Sequence, residues 1–321
     1  MQIGYKIATE AFDPKQVVEQ TVLAERAGFD FVELSDHYHP WLETQGHSGF
    51  TWSMLGTMAG ATSTIGLATG VTCPSFRYHP AIIAQAAATV QILSDNRFTL
   101  GVGAGERLNE HIVGDFPGVR KRHERFREAL EIIRLLWEGG YQSYDGIYFE
   151  LDDARVFDLP DQLPVIAVAS SGSASATIAA ELGTGLFATE PKGSIVEAYE
   201  QAGGEGPKYA EVPMAWAPDE DTAVKAVLET SRWALTGWKV MSELPNPVNF
   251  DAASATVRAE DVVQQFAVGP DPEKYVQHVQ QYVDAGFDHI VLQNAGPDPE
   301  GFVDFFTREL EGRLRSLTPS A

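Results

Sequence analysis

The chain has little positive charge, a single cysteine and no long apolar run. Its 321 residues contain 45 Asp and Glu against 23 Lys and Arg, which gives a formal net charge of -22 at pH 7. A surface of this sign repels the phosphate backbone of nucleic acids and the head groups of anionic membranes, so neither is expected as a partner. Both a high-salt cytoplasm and an ordinary acidic enzyme are compatible with this charge.

The other absences bear on location and metal binding. The single Cys73 excludes an internal disulfide, and no apolar stretch approaches the roughly 20 residues needed to span a bilayer. Residues 1–6 show no charged leader and no cleavage site. We therefore expect a cytoplasmic protein. The spacing of His and Cys shows no metal-ligand pattern, so no metal site is expected.

Short β-rich runs alternate with helical patterns along the whole chain. Pro14 begins one helical segment and Gly28 follows its end, which is the usual asymmetry of helix termini. Strand followed by helix, repeated eight times, favours a closed (β/α)8 TIM barrel over an open doubly wound sheet, and the length fits one domain over residues 1–321. The predicted strands are 3–7, 31–35, 65–71, 98–103, 165–170, 186–190, 211–217 and 289–295.

Two connections are longer than a simple strand-to-helix unit requires. Residues 104–164 hold an amphipathic helix at 122–137 and a turn-rich stretch at 139–159. Residues 218–288 hold helical segments interrupted by Pro245 and Pro247. These insertions follow strands four and seven, at the face where barrel enzymes carry their active sites, so we expect them to roof a pocket.

A carboxylate, an imidazole and an indole stand together where the second predicted strand ends. Asp36 is positioned to fix the tautomer of His37 or to bind a ligand, and Trp41 offers a flat surface for a planar cofactor. A histidine alone in a loop is more often a satisfied structural residue. Because Asp36 and Trp41 stand close to His37 in the sequence, we favour a catalytic role for His37.

Glycines and a glutamate follow the fourth predicted strand. Gly101, Gly103 and Gly105 resemble a dinucleotide-binding fingerprint, but Glu106 replaces its last glycine and the strand is not the first of the fold. We therefore reject a Rossmann interpretation. The glycines instead allow the backbone to approach a cofactor closely, and Glu106 is placed to face the same pocket as His37. The alternative is a glycine-rich turn with a surface glutamate.

Two further motifs follow strands three and five. Gly70 and Val71 permit an irregular backbone beneath a flat ring, and Cys73 is expected to line the pocket because no partner for a nucleophilic thiol is evident. Residues 170–174 bring a strand end to a helix N-terminus, where free amides suit a phosphate group. A simple capped helix start explains that segment equally well.

Taken together, these motifs resemble the luciferase-like family of flavin and deazaflavin barrels, in the branch related to coenzyme F420-dependent glucose-6-phosphate dehydrogenase. The similarity runs from Ile3-Gly4-Tyr5-Lys6 to residues 282–288. It implies a bacterial luciferase-like TIM barrel that binds coenzyme F420, acts on a small-molecule substrate and forms a homodimer.

The resemblance also implies roles for individual residues. His37 would act as general base on a substrate hydroxyl, Glu106 would handle the ring proton of the deazaflavin, and Trp41 would stabilise the hydride-transfer state. Glu10 would lie in the same pocket. The positions that match cofactor contacts are Asp36, Gly70, Val71, Cys73, Asn109, Ser171, Gly172 and Ala174. Cys73 replaces a threonine of the dehydrogenase, and Ser171 replaces a glycine.

The substrate site departs from the pattern of the dehydrogenase. Thr189 and Lys192 match two of its phosphate-site residues, but Met241 and Gln265 stand where a further lysine and an arginine belong. One lysine and one hydroxyl make a weak site for a dianion. We therefore expect a small alcohol or carbonyl substrate, with sugars and sugar phosphates kept as candidates.

Two other functions remain open at this stage. One is an FMN-dependent monooxygenase of the same fold, and the other is a non-catalytic cofactor-binding protein. The intact set of Asp36, His37, Trp41 and Glu106 argues against the second.

Overall fold

The computed structural model describes residues 1–320. Its strands are β1 (Gln2–Ile7), β2 (Phe31–Leu34), β3 (Gly66–Thr69), β4 (Phe98–Val102), β5 (Gln142–Asp145), β6 (Glu150–Ala154), β7 (Val165–Ala169), β8 (Gly185–Ala188), β9 (Lys208–Ala215), β10 (Ala267–Val268) and β11 (His289–Asn294).

Helices connect these strands in turn. They are α1 (Pro14–Arg26), α2 (Thr51–Ala61), α3 (Pro80–Leu93), α4 (Arg107–Glu110), α5 (Val119–Trp137), α6 (Ser173–Leu182), α7 (Gly193–Gln201), α8 (Glu220–Thr230), α9 (Trp238–Met241), α10 (Pro247–Ser254), α11 (Ala259–Gln265), α12 (Pro272–Asp284), α13 (Pro299–Phe305) and α14 (Glu311–Arg315). Short 3-10 turns occur at Glu43–Gln45, His111–Val113 and Arg232–Thr236, and a π-helical turn occurs at Phe306–Leu310.

Eight of the strands close into a parallel barrel. The hydrogen-bonded order is β9-β11-β1-β2-β3-β4-β7-β8, and β8 pairs with β9 to complete the ring. The predicted (β/α)8 barrel is thus confirmed, and its strands are the eight apolar runs identified from the sequence. The prediction that residues 1–321 form one domain stays a prediction.

Strand ends differ from the prediction by one to three residues. The predicted third strand is too long, because β3 ends at Thr69 and leaves Gly70 and Val71 beyond it, joined by a cis peptide bond. In the seventh barrel strand, β9 begins at Lys208 rather than at residue 211. The irregular backbone expected at Gly70 and Val71 is therefore present.

The first helix shows why its predicted limits are accurate. Asp13 accepts the backbone N–H groups of Lys15 and Gln16, and Pro14 occupies the first helical position. Gly28 follows the helix end with a φ of +84°, a left-handed conformation that favours glycine.

The stretch at 139–159 is a β-hairpin, β5–β6, rather than turns alone. Its strands are mostly polar, so no apolar alternation marked them in the sequence. The carboxylate of Glu128 on α5 accepts the backbone N–H groups of Ile147, Tyr148 and Phe149. The hairpin therefore packs against the outside of a barrel helix, and the prediction that this part of the insertion roofs the pocket is wrong.

The interior of the barrel is filled at its lower end by aromatic rings. Phe31 and Tyr209 meet edge to face with centroids 5.7 Å apart. Added Cβ atoms at Gly4 and Gly66 would approach Phe31 to 2.4 and 2.8 Å, so both glycines make room for its ring. Two residues further along the strands the interior becomes polar, and above that level it opens into a cavity. No helix within residues 1–320 is long and apolar enough to cross a membrane.

Candidate active site

A cavity of about 540 Å³ opens at the carboxyl ends of the barrel strands. Its walls come from strand ends, from the loop that leads into α5, and from the segment between α8 and β10. The two insertions therefore border the pocket with these parts, as expected from their place after the fourth and seventh barrel strands. The predicted site residues that line it are His37, Trp41, Gly70, Val71, Cys73, Glu106, Ser171 and Thr189.

His37 lies between two carboxylates contributed by different strands. Its Nδ1 is 2.9 Å from Oε1 of Glu10, and its Nε2 is 3.0 Å from Oε1 of Glu106. The contact with Glu10 is an ion pair without hydrogen-bond geometry, since neither atom has a hydrogen-bond partner among residues 1–320. The structure thus brings together three of the residues that the sequence placed in one pocket.

This arrangement sets the charge of the imidazole. Burial by itself would lower the pKa of His37, but the carboxylates of Glu10 and Glu106 outweigh it and raise that pKa to about 10. Burial would likewise raise the pKa of Glu10, and the facing His37 instead brings it down to about 2. At pH 7 the imidazole is therefore protonated.

Asn109 holds the two loops of this cluster together. Its Nδ2 donates to Oε1 of Glu106 at 2.7 Å, while its Oδ1 accepts the backbone N–H groups of Tyr38 and His39. The side chain lies behind the cavity wall. Asn109 thus orients Glu106 and the His37 loop, and the cofactor contact that the resemblance implies for it stays a prediction.

Asp36 does not contact the imidazole of His37. Its carboxylate accepts hydrogen bonds from Thr72 (2.8 Å) and from Tyr78 (3.0 Å), and Arg77 lies 3.6 Å away. The expectation that Asp36 fixes the tautomer of His37 is wrong, because Glu10 and Glu106 occupy both ring nitrogens. Asp36 instead ties the His37 loop to the segment after β3.

An aromatic stack supports Trp41. Its ring lies 4.8 Å from that of His37, and Trp233 stacks on it at 4.1 Å with an interplanar angle of 10°. Phe250 meets Trp41 edge-on from the same insertion. Trp233 was not singled out in the sequence, because a single tryptophan in a helical segment carries no signal of its own.

One wall of the cavity is built from small residues. An added Cβ would approach Val71 to 2.9 Å at Gly103 and Cys73 to 2.8 Å at Gly105, where φ is also +86°. Cys73 is buried next to Ser75, and burial raises the pKa of its thiol, so it lines the wall as a neutral group. The wall leaves space for a flat ring.

The expected phosphate-binding segment, residues 170–174, lies at the edge of this wall. Ser171 borders the cavity, and Gly172 and Ala174 stand at the start of α6, outside the cavity lining. The amides in the first turn of a helix have no partner within it, so they are available to an anion.

The part of the cavity expected to bind the substrate has few unpaired cationic side chains. Thr189 lines the cavity, but Lys192 does not, and its Nζ is 2.7 Å from Oε2 of Glu190. Met241 and Gln265 both line the cavity, where the resemblance calls for cations.

Within residues 1–320 the basic side chains of the lining are His37, Arg122 and His123, and burial and the neighbouring Arg122 lower the pKa of His123, so it adds no charge at pH 7. Arg122 is buried and is 2.8 Å from Glu243 of the second insertion, so its charge is already paired. Arg122 and His123 belong to the predicted amphipathic helix and were missed, since helix charges usually face solvent. The described chain shows no group of three His, Cys, Asp or Glu side chains suited to a metal ion.

Comparisons with known proteins agree with this geometry. A family model described as luciferase-like monooxygenase matches residues 1–289. The F420-dependent glucose-6-phosphate dehydrogenase of Segniliparus rotundus is 35% identical over 332 residues, covering 99% of each chain. A protein named F420-dependent glucose-6-phosphate dehydrogenase 2 from Rhodococcus jostii is 36% identical and covers 99% of this chain and 98% of its own.

Solved structures show the same architecture. An F420-dependent secondary alcohol dehydrogenase in complex with an F420-acetone adduct superposes with a TM-score of 0.91 at 29% identity, covering 98% of this chain and 99% of that one. A coenzyme F420-dependent tetrahydromethanopterin reductase from Methanopyrus kandleri shares the fold, with a TM-score of 0.78 at 21% identity, covering 98% and 99%.

The two carboxylates predict a measurable property of His37. Glu10→Gln should lower the pKa of the imidazole by about 1 to 3 units, the usual effect of an opposite charge at this distance. Titration of ring-labelled histidine by NMR measures it. Glu19→Gln, an exposed change on α1, is the matched control. An unchanged pKa in Glu10→Gln would show that Glu10 does not set the charge of His37.

Proposed function

The chain belongs to the luciferase-like monooxygenase family, and from that premise we propose that it is a coenzyme F420-dependent oxidoreductase. It transfers a hydride between the deazaflavin and a small alcohol or carbonyl compound. The observation that carries the proposal is the set of His37, Glu10 and Glu106 beside Trp41, in a cavity with a small-residue wall. Relatives of 33–36% identity over nearly the whole chain carry the name of F420-dependent dehydrogenases.

The residues of the small-residue wall fit a flat ring. Gly70, Val71 and Cys73 would hold one face of it, and the glycines opposite Val71 and Cys73 keep side chains out of that space. Ser171 borders this space, and the backbone N–H groups of Gly172 and Ala174 at the start of α6 would hold the phosphate of its tail. When bound, the deazaflavin supplies a carbon centre that accepts or returns a hydride.

His37 moves the substrate proton. In the direction of reduction, a carbonyl substrate takes the place of Glu106 beside Nε2, and the imidazolium donates its Nε2 proton to the substrate oxygen as the hydride arrives at carbon. In the direction of oxidation, the imidazole must first be neutral to accept the hydroxyl proton. A pKa raised to about 10 therefore makes oxidation faster as the pH rises and makes reduction faster as it falls.

Glu10, Glu106 and Trp41 assist this transfer. The two carboxylates stabilise the charged imidazole, and Glu106 also reaches the cavity, where we propose that it handles the proton of the ring. Trp41, against which Trp233 stacks, would form a wall beside the bound substrate and would exclude water from it.

The substrate is proposed to be small and neutral. Trp41, Trp233, Met241 and Phe266 form an apolar surface, and Thr189 adds one hydroxyl. Four glutamates also line the cavity, namely Glu106, Glu110, Glu190 and Glu211. A phosphate dianion would meet these carboxylates without a free lysine or arginine to balance them. A secondary alcohol or the matching ketone fits better than a sugar phosphate.

The oligomeric state and the cellular location of the enzyme are proposed from its surface and from its cysteine. We also propose a homodimer, supported by exposed apolar side chains at the N-terminal ends of α2 and α3, including Phe50 and Ile82. A cytoplasmic location is supported by the buried single Cys73, which needs no oxidising compartment. Light scattering on the purified protein measures the mass of the assembly.

Coenzyme binding tests the proposal directly. Oxidised coenzyme F420 should quench the tryptophan fluorescence in a saturable titration, because Trp41 and Trp233 border the cavity. FMN should give weak binding or none. Saturable FMN binding together with no response to F420 would instead support the monooxygenase of the same fold.

Loss of the imidazole should remove the proton relay. His37→Ala is expected to lower turnover by about 10²–10⁴-fold, the usual contribution of a general acid or base. Its oxidation rate should also lose the rise toward pH 10, while the Kd of the coenzyme changes little. His47→Ala, an exposed change, is the control. A pH profile of His37→Ala that keeps the wild-type shape would assign the ionisation to another group.

Substrate choice tests the apolar cavity. Glucose 6-phosphate should be oxidised with a kcat/KM at least about 100-fold below that of a small secondary alcohol, since two charge-assisted contacts are missing. Lys192→Ala should leave alcohol oxidation unchanged because Lys192 does not line the cavity and a neutral alcohol offers no charge for it to bind. Efficient glucose 6-phosphate turnover that Lys192→Ala abolishes would contradict this substrate assignment.

A further inference from the structure

Arg77 holds the segment in front of His37 from a buried position. Its side chain is 7% exposed, although it belongs to the loop between β3 and α3. Nη2 of Arg77 donates to the backbone carbonyl oxygen of Asp36 at 2.6 Å, directly before His37 in the chain. A guanidinium is seldom buried unless its groups find partners, so the other contacts of Arg77 need to be considered.

The same side chain is anchored on α4. Its Nε donates to Oε1 of Glu110, and the backbone N–H of Arg77 donates to Oε2, both at 3.1 Å. Glu110 is buried one helical turn after Glu106, and its backbone N–H donates to the carbonyl oxygen of Glu106. Arg77 therefore connects the residue before His37 to the helix that continues from Glu106.

The charges of this connection are paired inside the protein. Burial by itself would lower the pKa of Arg77, but the carboxylates of Asp36 and Glu110 outweigh it and raise that pKa. Burial raises the pKa of Glu110 to about 7, although the facing Arg77 opposes the rise. The ion pair of Arg77 with Glu110 is therefore complete above pH 7. His37, with a pKa of about 10, loses its proton while this pair is intact.

Two side chains thus fix the backbone on both sides of His37. Asn109 on α4 accepts the two backbone N–H groups that follow His37, and Arg77 holds the carbonyl oxygen that precedes it. Both connections end on α4, which begins directly after Glu106. The separation of 3.0 Å between Nε2 of His37 and Oε1 of Glu106 therefore depends on both of them.

We propose that Arg77 is a positioning residue that holds His37 against Glu106, by joining the peptide before the imidazole to α4. The planar fork of a guanidinium reaches both acceptors at once, whereas the single ammonium group of a lysine reaches one or the other. The catalytic consequence rests on the proposed function, in which His37 moves the substrate proton. Arg77 does not line the cavity, so it acts through His37 and touches no substrate.

The pKa of His37 separates a positioning role from a direct effect of charge. Loss of the contact with Glu106 lowers that pKa, because one of the two carboxylates that raise it moves away. Loss of a cation near the imidazole would raise it instead. Arg77→Lys keeps the charge and removes the fork, and any loss of the lysine charge at high pH would also raise the pKa. A lowered pKa in Arg77→Lys therefore reports the lost positioning.

NMR titration of ring-labelled histidine, on the protein without coenzyme, measures this pKa, with circular dichroism and Tm as checks of folding. We expect the pKa of His37 to fall by about one unit in Arg77→Lys, the lower end of the effect of an opposite charge at this distance. Arg77→Gln, which removes the cation, should also show a fall, and it gives the result if the lysine variant does not fold.

Arg125→Lys is the matched control. Arg125 is half-buried and donates to the carbonyl oxygen of Ser75 in the loop that holds Arg77, and its ring contacts, Phe76 and Phe149, lie outside the His37 loop and α4. This variant should leave the pKa of His37 unchanged. An unchanged or raised pKa in Arg77→Lys, or an equal fall in Arg125→Lys, overturns the inference.

The pH dependence of alcohol oxidation links the positioning to catalysis. The rise of the oxidation rate with pH should move to lower pH in Arg77→Lys, by the same amount as the pKa of His37. A lowered pKa without this shift would count against the role of His37 in the proposed function and would leave the positioning role of Arg77 in place. The two failures are therefore distinguishable.

Discussion

The ion-paired imidazole of His37 is the constraint on which the site depends. Its two carboxylates come from the segments after β1 and β4, and His37 itself follows β2, so the cluster exists only when the barrel closes with these strands side by side. Both partners raise the pKa of the buried imidazole, whereas burial alone would lower it. The fold thus holds a proton in the cavity wall, at the place proposed for hydride exchange.

The rest of the cavity is arranged around that proton. Small residues leave one wall flat, an aromatic stack forms the other, and the second insertion supplies Trp233 to hold Trp41 in place. Arg122 joins the two insertions through Glu243, so the cover of the cavity is fixed from both sides. The acidic surface of the chain, with a net charge of -22, has the same sign as the four glutamates that line the cavity.

The sequence predicted the barrel and several side chains that line its cavity, because each depends on local signals. Apolar runs mark the strands, and His37, Trp41 and Glu106 stand directly after them. The hairpin β5–β6 gave no such signal, since its strands are polar. His37 and Asp36 find their partners on segments that follow neighbouring strands of the barrel. The prediction paired the two residues with each other because they are adjacent in the sequence. Lys6, Glu33 and Glu211 are charged residues within largely apolar strands. The sequence shows this signal, but the prediction did not use it.

Hydride transfer from carbon is the central claim, and isotope labelling tests it most directly. A secondary alcohol with deuterium on its carbinol carbon, mixed with enzyme and oxidised coenzyme F420 in a single turnover, should deliver that deuterium to the reduced coenzyme and show a primary kinetic isotope effect. Mass spectrometry of the coenzyme gives the result. Reduced coenzyme that carries hydrogen from solvent and no deuterium, formed without an isotope effect, would contradict the account.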